Sequence, residues 1–335
     1  MLLVVDAGNT QTHLGTYRDG ELVQHWRFAT VRESTADELG AALRNLLALR
    51  GMHLEMLDGM IVSSTVPQLR PEYTAMGAQY LDAEVKMVGP GLRTGMPIRY
   101  DNPHEIGPDR LVNAVAGYEK VGGPCVVVDF GTAVTYDVVS KDGEYLGGII
   151  FPGVEISMEA LTERAAALPK IELGTPRALI GKTTIDAIRA GTVYGYAGMV
   201  DGILARLRAE LGEETHMLAT GGLAGAIVPF CDSIDEVDDL LTLNGLKLFW
   251  ERNQPETRGP ARVPRALDPR WPDHPQPRRA GAAGRHRQLV RAAAGQALRR
   301  RARGLGDGVE LRRPLRQPED LHRAAADRRS RRRSA

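Results

Sequence analysis

Short apolar runs punctuated by turn residues recur along the chain in two similar series. Leu2-Leu3-Val4-Val5 ends in Asp6-Ala7-Gly8-Asn9-Thr10, and Cys125-Val126-Val127-Val128 ends in Asp129-Phe130-Gly131-Thr132-Ala133. A branched apolar run bounded by a turn predicts a buried strand. After the first run, residues 12–17 and 22–28 flank Asp19-Gly20 and predict a hairpin. Residues 36–49 place Leu39, Leu43, Leu46 and Leu47 on one helical face, with Thr35 and Glu38 spaced as a capping box. Residues 60–64 predict a strand that Val66-Pro67 ends. The second series repeats the order. Strands are predicted at 126–129, 134–140 and 144–150, the last two turning at Lys141-Asp142-Gly143. Helices follow at about 157–167 and 184–211, then a strand at 217–220 ending in Gly221-Gly222 and a helix at about 243–252. The order of elements repeats, with no convincing repeat of residues. The fold class predicted is α/β, in two half-domains, 1–115 and 116–253.

Each series opens on the same chemistry: a strand ending in a carboxylate, a Gly turn and a Thr hydroxyl. Glycine lets backbone approach an anion closely. N–H groups and a hydroxyl donate to phosphate oxygens, and the Asp suits a cation that offsets phosphate charge. Either unit alone also reads as an ordinary polar turn. Two in the same order predict a polyphosphate held from both sides.

Between the units lies Tyr100-Asp101-Asn102-Pro103-His104-Glu105-Ile106-Gly107-Pro108-Asp109-Arg110. Leu111, Val112, Val115 and Ala116 then form a helical stripe. Asp109 and Arg110 fall at that helix's N-terminus, where N–H groups favour anions. A carboxylate there can take a proton from a hydroxyl under phosphorylation, and the Arg can grip a carboxylate or phosphate. The local alternative is an Asp cap beside a surface Arg. Two other motifs fail. Gly181-Lys182-Thr183 resembles the end of a P-loop, but the first Gly would fall at Pro176. Asp129-Phe130-Gly131 lacks the upstream Gly-rich and His-Arg-Asp loops of protein kinases.

Taken together, residues 1 to about 253 resemble type III pantothenate kinase, of the superfamily of actin, sugar kinases and the Hsp70 ATPase domain. The resemblance rests on Asp6-x-Gly-Asn-Thr10, Gly107-x-Asp109-Arg110, Asp129-x-Gly-Thr132-Ala and Gly221-Gly222. It extends to Tyr100-Asp-Asn-Pro103, Pro152-Gly153, Ile180-Gly-Lys-x-Thr184, Leu241-Thr-Leu-x-Gly-Leu246 and Glu251-Arg-Asn253. It implies two ribonuclease-H-like (actin-like ATPase) half-domains around a nucleotide cleft, and ATP-dependent phosphorylation of pantothenate to 4'-phosphopantothenate, the first step of coenzyme A biosynthesis. It further implies that Asp6, Ala7, Gly8, Asn9, Thr10, Gln11, Thr12 and His13 bind ATP with Thr132 opposite. Asp109 would be the catalytic base. Tyr100, Gly107, Pro108, Asp109, Arg110 and Thr184 would line the pantothenate site. Asp129 would hold K+ (or NH4+), Mg2+ would travel with ATP, and the protein would be a homodimer. His13 is assigned no fixed role beyond its place in the segment. Asp238-Asp239 departs from the family's usual Asp-Pro. The alternatives are another small-molecule kinase, or a non-catalytic regulator (a transcriptional accessory factor) on the same fold. Retention of Asp6, Asp109 and Asp129 argues against the regulator.

Composition divides the chain. Its formal charge is +1, yet residues 254–335 hold 22 Arg, no Lys and 8 acidic residues, a net +14 that leaves −13 on residues 1–253. The tail lacks Lys, Ile, Phe, Tyr, Met, Cys and Asn, so disorder is predicted. It reads either as a shifted-frame extension of a GC-rich gene or as a basic arm. With Trp271 as its one aromatic residue, any nucleic-acid binding would be non-specific and salt-sensitive. The two cysteines, Cys125 and Cys231, imply neither a disulfide framework nor a metal site. No run approaches the roughly 20 apolar residues of a membrane span, and a cytoplasmic location is the expectation.

Overall fold

The computed structural model describes residues 1–255; the disorder predicted for the tail concerns positions outside the described residues. The first run becomes β1 (Leu2–Ala7), and the hairpin becomes β2 (Gln11–Arg18) and β3 (Glu21–Ala29). The turn between them uses the left-handed φ values of Asp19 (52°) and Gly20 (85°), as the Asp-Gly signal requires. Helix α1 (Ala36–Ala48) begins at the predicted capping box: Thr35 accepts from the Glu38 N–H, and the Glu38 carboxylate accepts from the Thr35 N–H at 2.8 Å. Then come β4 (Gly59–Ser64), α2 (Leu69–Tyr80) and β5 (Glu84–Met87). Strand β1 pairs antiparallel with β2 and parallel with β4, giving the order β3-β2-β1-β4-β5.

The second series repeats this topology. Helix α3 (Pro108–Val121) leads into β6 (Cys125–Phe130), β7 (Ala133–Val139) and β8 (Tyr145–Pro152). Helices α4 (Val154–Arg164) and α5 (Thr184–Leu211), strand β9 (His216–Thr220), the single turn α6 (Ala224–Ile227), β10 (Glu236–Val237) and α7 (Leu241–Arg252) complete it. Read from β8, the second sheet runs β8-β7-β6-β9-β10, with β6 antiparallel to β7 and parallel to β9. The two sheets therefore share one connectivity, and β1 and β6 are the equivalent central strands. The boundary expected at residue 115 falls within α3.

Three large apolar clusters and a small fourth, of Ala116, Val127, Leu218 and Leu241, stack these elements in five layers. Leu39, Leu43 and Leu47 of α1, with Tyr73 and Met76 of α2, cover Leu3, Val5 and Met60 on the outer face of the first sheet. Val193, Val200 and Leu204 of α5, with Val154 and Met158 of α4, cover Val126, Val128 and Tyr136 of the second. Between the sheets, α3 and α7 contribute Val112, Val115, Leu243, Leu246 and Phe249, packed on Val4 and Ile61 on one side and on Cys125 and Val139 on the other. A Cβ on Gly245 of α7 would stand 2.7 Å from Val112 Cγ1, so a glycine here lets α3 and α7 close together. At about 1.5–3 kcal/mol for each large aliphatic side chain fully buried, this middle layer fixes the sheets about their common cleft. Among the described residues no helix is long and apolar enough to cross a membrane.

Candidate active site

Both Gly turns open into the cleft. Gly8 N–H donates to the Gln11 carbonyl and Gly131 N–H to the Ala133 carbonyl, each at 3.1 Å, so each turn folds back on its own hairpin. A Cβ at Gly8 would lie 2.9 Å from the Gln11 oxygen. The Thr10 and Thr132 hydroxyl oxygens meet at 2.9 Å. Around them lies a cavity of about 700 Å³ lined by Asp6, Gly8, Asn9, Thr10, Gln11, His13, Asp109, Asp129 and Thr132, and by the turn Thr220-Gly221-Gly222. That volume lies in the range of small-molecule sites.

Three elements deliver three carboxylates to this space. Asp6 ends β1, Asp129 sits near the end of β6, and Asp109 stands in the first turn of α3. Burial raises the Asp6 carboxyl to about 8, with the charges of Asp109 and Asp129 adding to the rise. Asp129 rises to about 6, again through burial first and Asp109 second. Asp109 is raised by burial and drawn back by N–H groups of its own helix turn and by Arg110. The Oδ1 atoms of Asp6 and Asp109 are buried without a hydrogen-bond partner among the described residues. Buried polar atoms are nearly always paired, so two carboxylate oxygens left without a partner on residues that line one cavity call for an explanation. Asp129 is held in place: Asn113 donates to its Oδ2 at 3.0 Å, and Thr242 donates to Asn113 Oδ1 at 2.7 Å. Gly221 has φ 96°, and a Cβ there would stand 2.4 Å from Asp129 Oδ1.

A family model described as type III pantothenate kinase matches residues 2–206. Type III pantothenate kinase of Moorella thermoacetica is 50% identical over 253 residues, covering 76% of this chain and 100% of the relative. That of Koribacter versatilis is 47% identical over 268 residues, 77% of this chain and 98% of the relative. The chain belongs to the type III pantothenate kinase family. The fold also aligns with the crystal structure of a protein described as a "putative 2-dehydro-3-deoxygalactonokinase" from Sinorhizobium meliloti, with a TM-score of 0.52 at 14% identity over 77% of this chain and 99% of that one. That likeness speaks for the fold.

The remaining site residues expected of a type III pantothenate kinase lie outside the cavity lining. Ala7 is buried in β1. Thr12 is buried as well, its hydroxyl 2.8 Å from that of Thr30. Tyr100 rests beside Tyr145, ring centres 6.2 Å apart. Gly107 caps α3 and Pro108 is its first residue. A Cβ on Gly107 would come 2.4 Å from Asp109 Oδ1. Arg110 is not among the cavity-lining residues and enters a buried ion pair: its Nε donates to Asp137 Oδ1 at 2.8 Å, and the Tyr145 hydroxyl donates to the same oxygen at 2.9 Å. Asp137 keeps the guanidinium charged against the cost of burial. Thr184 is exposed at the start of α5, beside Thr183, whose hydroxyl caps that helix by accepting from the Asp186 N–H. Thr183 therefore serves as a helix cap, in keeping with the rejected P-loop.

Several lining residues were not among the site residues expected from the sequence: Arg27, Glu155, Asp239 and Thr242. Arg27 had a signal, because it pairs with His13 across β2 and β3 and so shares a face with it. Asn113 had one too, lying one helical turn beyond Asp109. Asp239, in the pair that departs from the family's Asp-Pro, puts a further carboxylate on the lining. His13 Nε2 lies 3.2 Å from His25 Nδ1. Burial, then the Arg27 charge and His25, push the His13 imidazole down to about 4 and keep it neutral.

Proposed function

We propose that the chain transfers the γ-phosphoryl group of ATP to the primary hydroxyl of pantothenate, with Asp109 as the base. The observation that carries this reading is Asp109, whose buried Oδ1 has no partner among the described residues and whose side chain lines a cavity between two Gly-Thr turns, in a chain of the type III pantothenate kinase family. The Gly8 and Gly131 turns, with Thr10 and Thr132, hold the phosphates from opposite half-domains. Asp109 takes the hydroxyl proton as the oxygen attacks phosphorus in line, and ADP leaves. Such transfer is chiefly positioning and charge neutralisation.

The donor set suits hard cations. Asp6 and Asp129 offer carboxylate oxygens, of which Asp6 Oδ1 has no partner. Among the described residues no group of three or more His, Cys, Asp or Glu side chains could hold a metal ion alone. This agrees with Mg2+, which keeps waters and phosphate oxygens as ligands. In this reading Asp6 holds Mg2+ with the nucleotide, and Asp129 holds K+ (or NH4+). The cations supply charge neutralisation of the phosphates when bound.

The acceptor site takes Tyr100, Gly107, Pro108, Arg110 and Thr184. Arg110 has given Nε to Asp137, and its Nη2 has no partner among the described residues; that nitrogen is the donor left for a substrate carboxylate. A homodimer belongs to the same reading. Strand β8 edges the second sheet and carries exposed Ile150 and Phe151, which with Ile156 of α4 also line the cavity.

The deciding experiment is ATP-dependent phosphorylation of pantothenate by the full chain, with K+ and with Na+ in its place. Product that depends on K+ is expected. Tight ATP binding with no phosphopantothenate would end the assignment of the acceptor.

A further inference from the structure

The cavity is strongly acidic for a site meant to receive a nucleotide. Asp6, Asp109, Asp129, Glu155 and Asp239 line it, and Arg27 is the one Lys or Arg among the lining residues. ATP adds several more negative charges, so a fixed cation has a defined task here. Arg27 lies on β3 directly opposite His13, on the face of the first sheet that looks into the cleft. Its Nη1 would stand 3.0 Å from a Cβ built on Gly222, beside the Gly-Gly turn of the second half-domain. Its charge reaches both Asp6 and Asp129, drawing each carboxyl down against burial. No hydrogen bond or ion pair with a described residue engages its guanidinium, although Arg side chains over acidic clefts ordinarily find carboxylates.

We propose that Arg27 binds the phosphate chain of the nucleotide, reaching from the first half-domain across the cleft to the Gly221-Gly222 turn. The guanidinium is planar, permanently charged and bidentate towards phosphate, and it places positive charge where the two half-domains meet over the transferred group. His13 beside it is neutral and adds a hydrogen-bonding group without competing charge. The inference rests on the nucleotide-cleft reading, and it is independent of the identity of the acceptor.

The test uses the full chain and the probe AMP-PNP, an ATP analogue with an imido β,γ-bridge. Its affinity is measured by calorimetry for the wild type, Arg27→Gln and Arg27→Lys at two salt concentrations. Arg27→Gln is expected to weaken AMP-PNP at least tenfold, about 1.4 kcal/mol, and to flatten the salt dependence. Arg27→Lys should recover part of the loss. Without nucleotide, Arg27→Gln should unfold at a somewhat lower temperature, since the Arg27 charge offsets those of Asp6 and Asp129, and Arg27→Lys should unfold as the wild type does. Unchanged AMP-PNP affinity in Arg27→Gln would overturn the proposal, as would a loss that Lys does not relieve and that leaves the salt dependence intact. If the wild type binds AMP-PNP through Arg27 yet leaves pantothenate unphosphorylated, the acceptor assignment fails and this inference stands.

Discussion

The hydroxyl oxygens of Thr10 and Thr132 lie 2.9 Å apart, although 122 residues separate them in the chain. Each belongs to the turn after an equivalent central strand, so one hydrogen bond ties the two half-domains at the mouth of the cavity. A bound triphosphate would offer each hydroxyl a charged acceptor instead. A double-mutant cycle with Thr10→Ala and Thr132→Ala should show a coupling of roughly 0.5–1.5 kcal/mol in the stability of the nucleotide-free protein. The coupling should shrink towards zero with AMP-PNP bound, while each single variant raises the KM for ATP. A coupling that persists undiminished in the complex would show that the pair is structural.

Asp109→Asn keeps the shape of the side chain and removes its basicity. Turnover should fall by about 10²-fold or more, and AMP-PNP affinity should change little. Burial raises the Asp109 carboxyl, and the base works only when ionised. The acid limb of the wild-type kcat profile should therefore lie above the ordinary carboxylate range, with activity rising as pH rises through it. The residual activity of Asp109→Asn should lack that limb. Near-wild-type turnover would remove Asp109 from the chemistry.

Gly107 has φ −57° and ψ 138°, which any residue adopts, so its requirement is steric. A Cβ would stand 2.4 Å from Asp109 Oδ1, and the carboxylate, being the flexible partner, is what moves. Gly107→Ala should lower kcat by about tenfold or more, since small misplacements of a reacting group are costly, while stability stays within about 1 kcal/mol. A variant with wild-type kcat would show that the carboxylate tolerates the shift.

Much of this was legible in the sequence, for identifiable reasons. The capping box at Thr35 and Glu38, the Asp19-Gly20 hairpin and the paired Asp-Gly-Thr turns are local signals, and each locates its element. Helix α2 went unpredicted because Pro71 falls in its first turn and its apolar positions, Leu69, Tyr73 and Met76, are sparse. Strand β5 is four residues long, and its buried Lys86 is tied to the Asn253 carbonyl at 2.8 Å, a pairing invisible to periodicity. Helix α4 starts at Val154, three residues before the predicted 157, because β8 ends at Pro152, Gly153 caps the helix and Val154 is already core. Most of all, the Arg110–Asp137–Tyr145 cluster joins α3 to two strands of the second sheet, and nothing local announces that Asp137 in β7 will receive Arg110.

That cluster makes its own prediction. The Arg110 side chain is 8% exposed and Asp137 fully buried, so removing one partner strands the other. Asp137→Leu should destabilise by about 3–5 kcal/mol. Arg110→Met combined with Asp137→Leu should regain much of that loss in chemical unfolding, because a buried pair is often replaceable by apolar side chains. The double variant should still show a raised KM for pantothenate, for want of Arg110 Nη2. Full recovery of both stability and KM would leave the pair without a role in the acceptor site.

The three carboxylates also make the cleft costly to maintain without nucleotide, with a defined pH dependence. The folded Asp6 carboxyl, near 8, lies above its ordinary value of 3.8. Between those values the folded state holds a proton that the unfolded state has released, so stability falls as pH rises from about 4 to about 8. Asp129, raised to about 6, contributes with the same sign over a narrower window. Asp6→Asn cannot ionise. Without nucleotide it should unfold at a higher temperature than the wild type at pH 8, by roughly 2–4 °C for each kcal/mol relieved. The difference should close towards pH 4, and the variant should lose most of its kinase activity. Parallel melting curves for the two proteins across this range would mean that Asp6 ionises freely in the fold and carries no such cost.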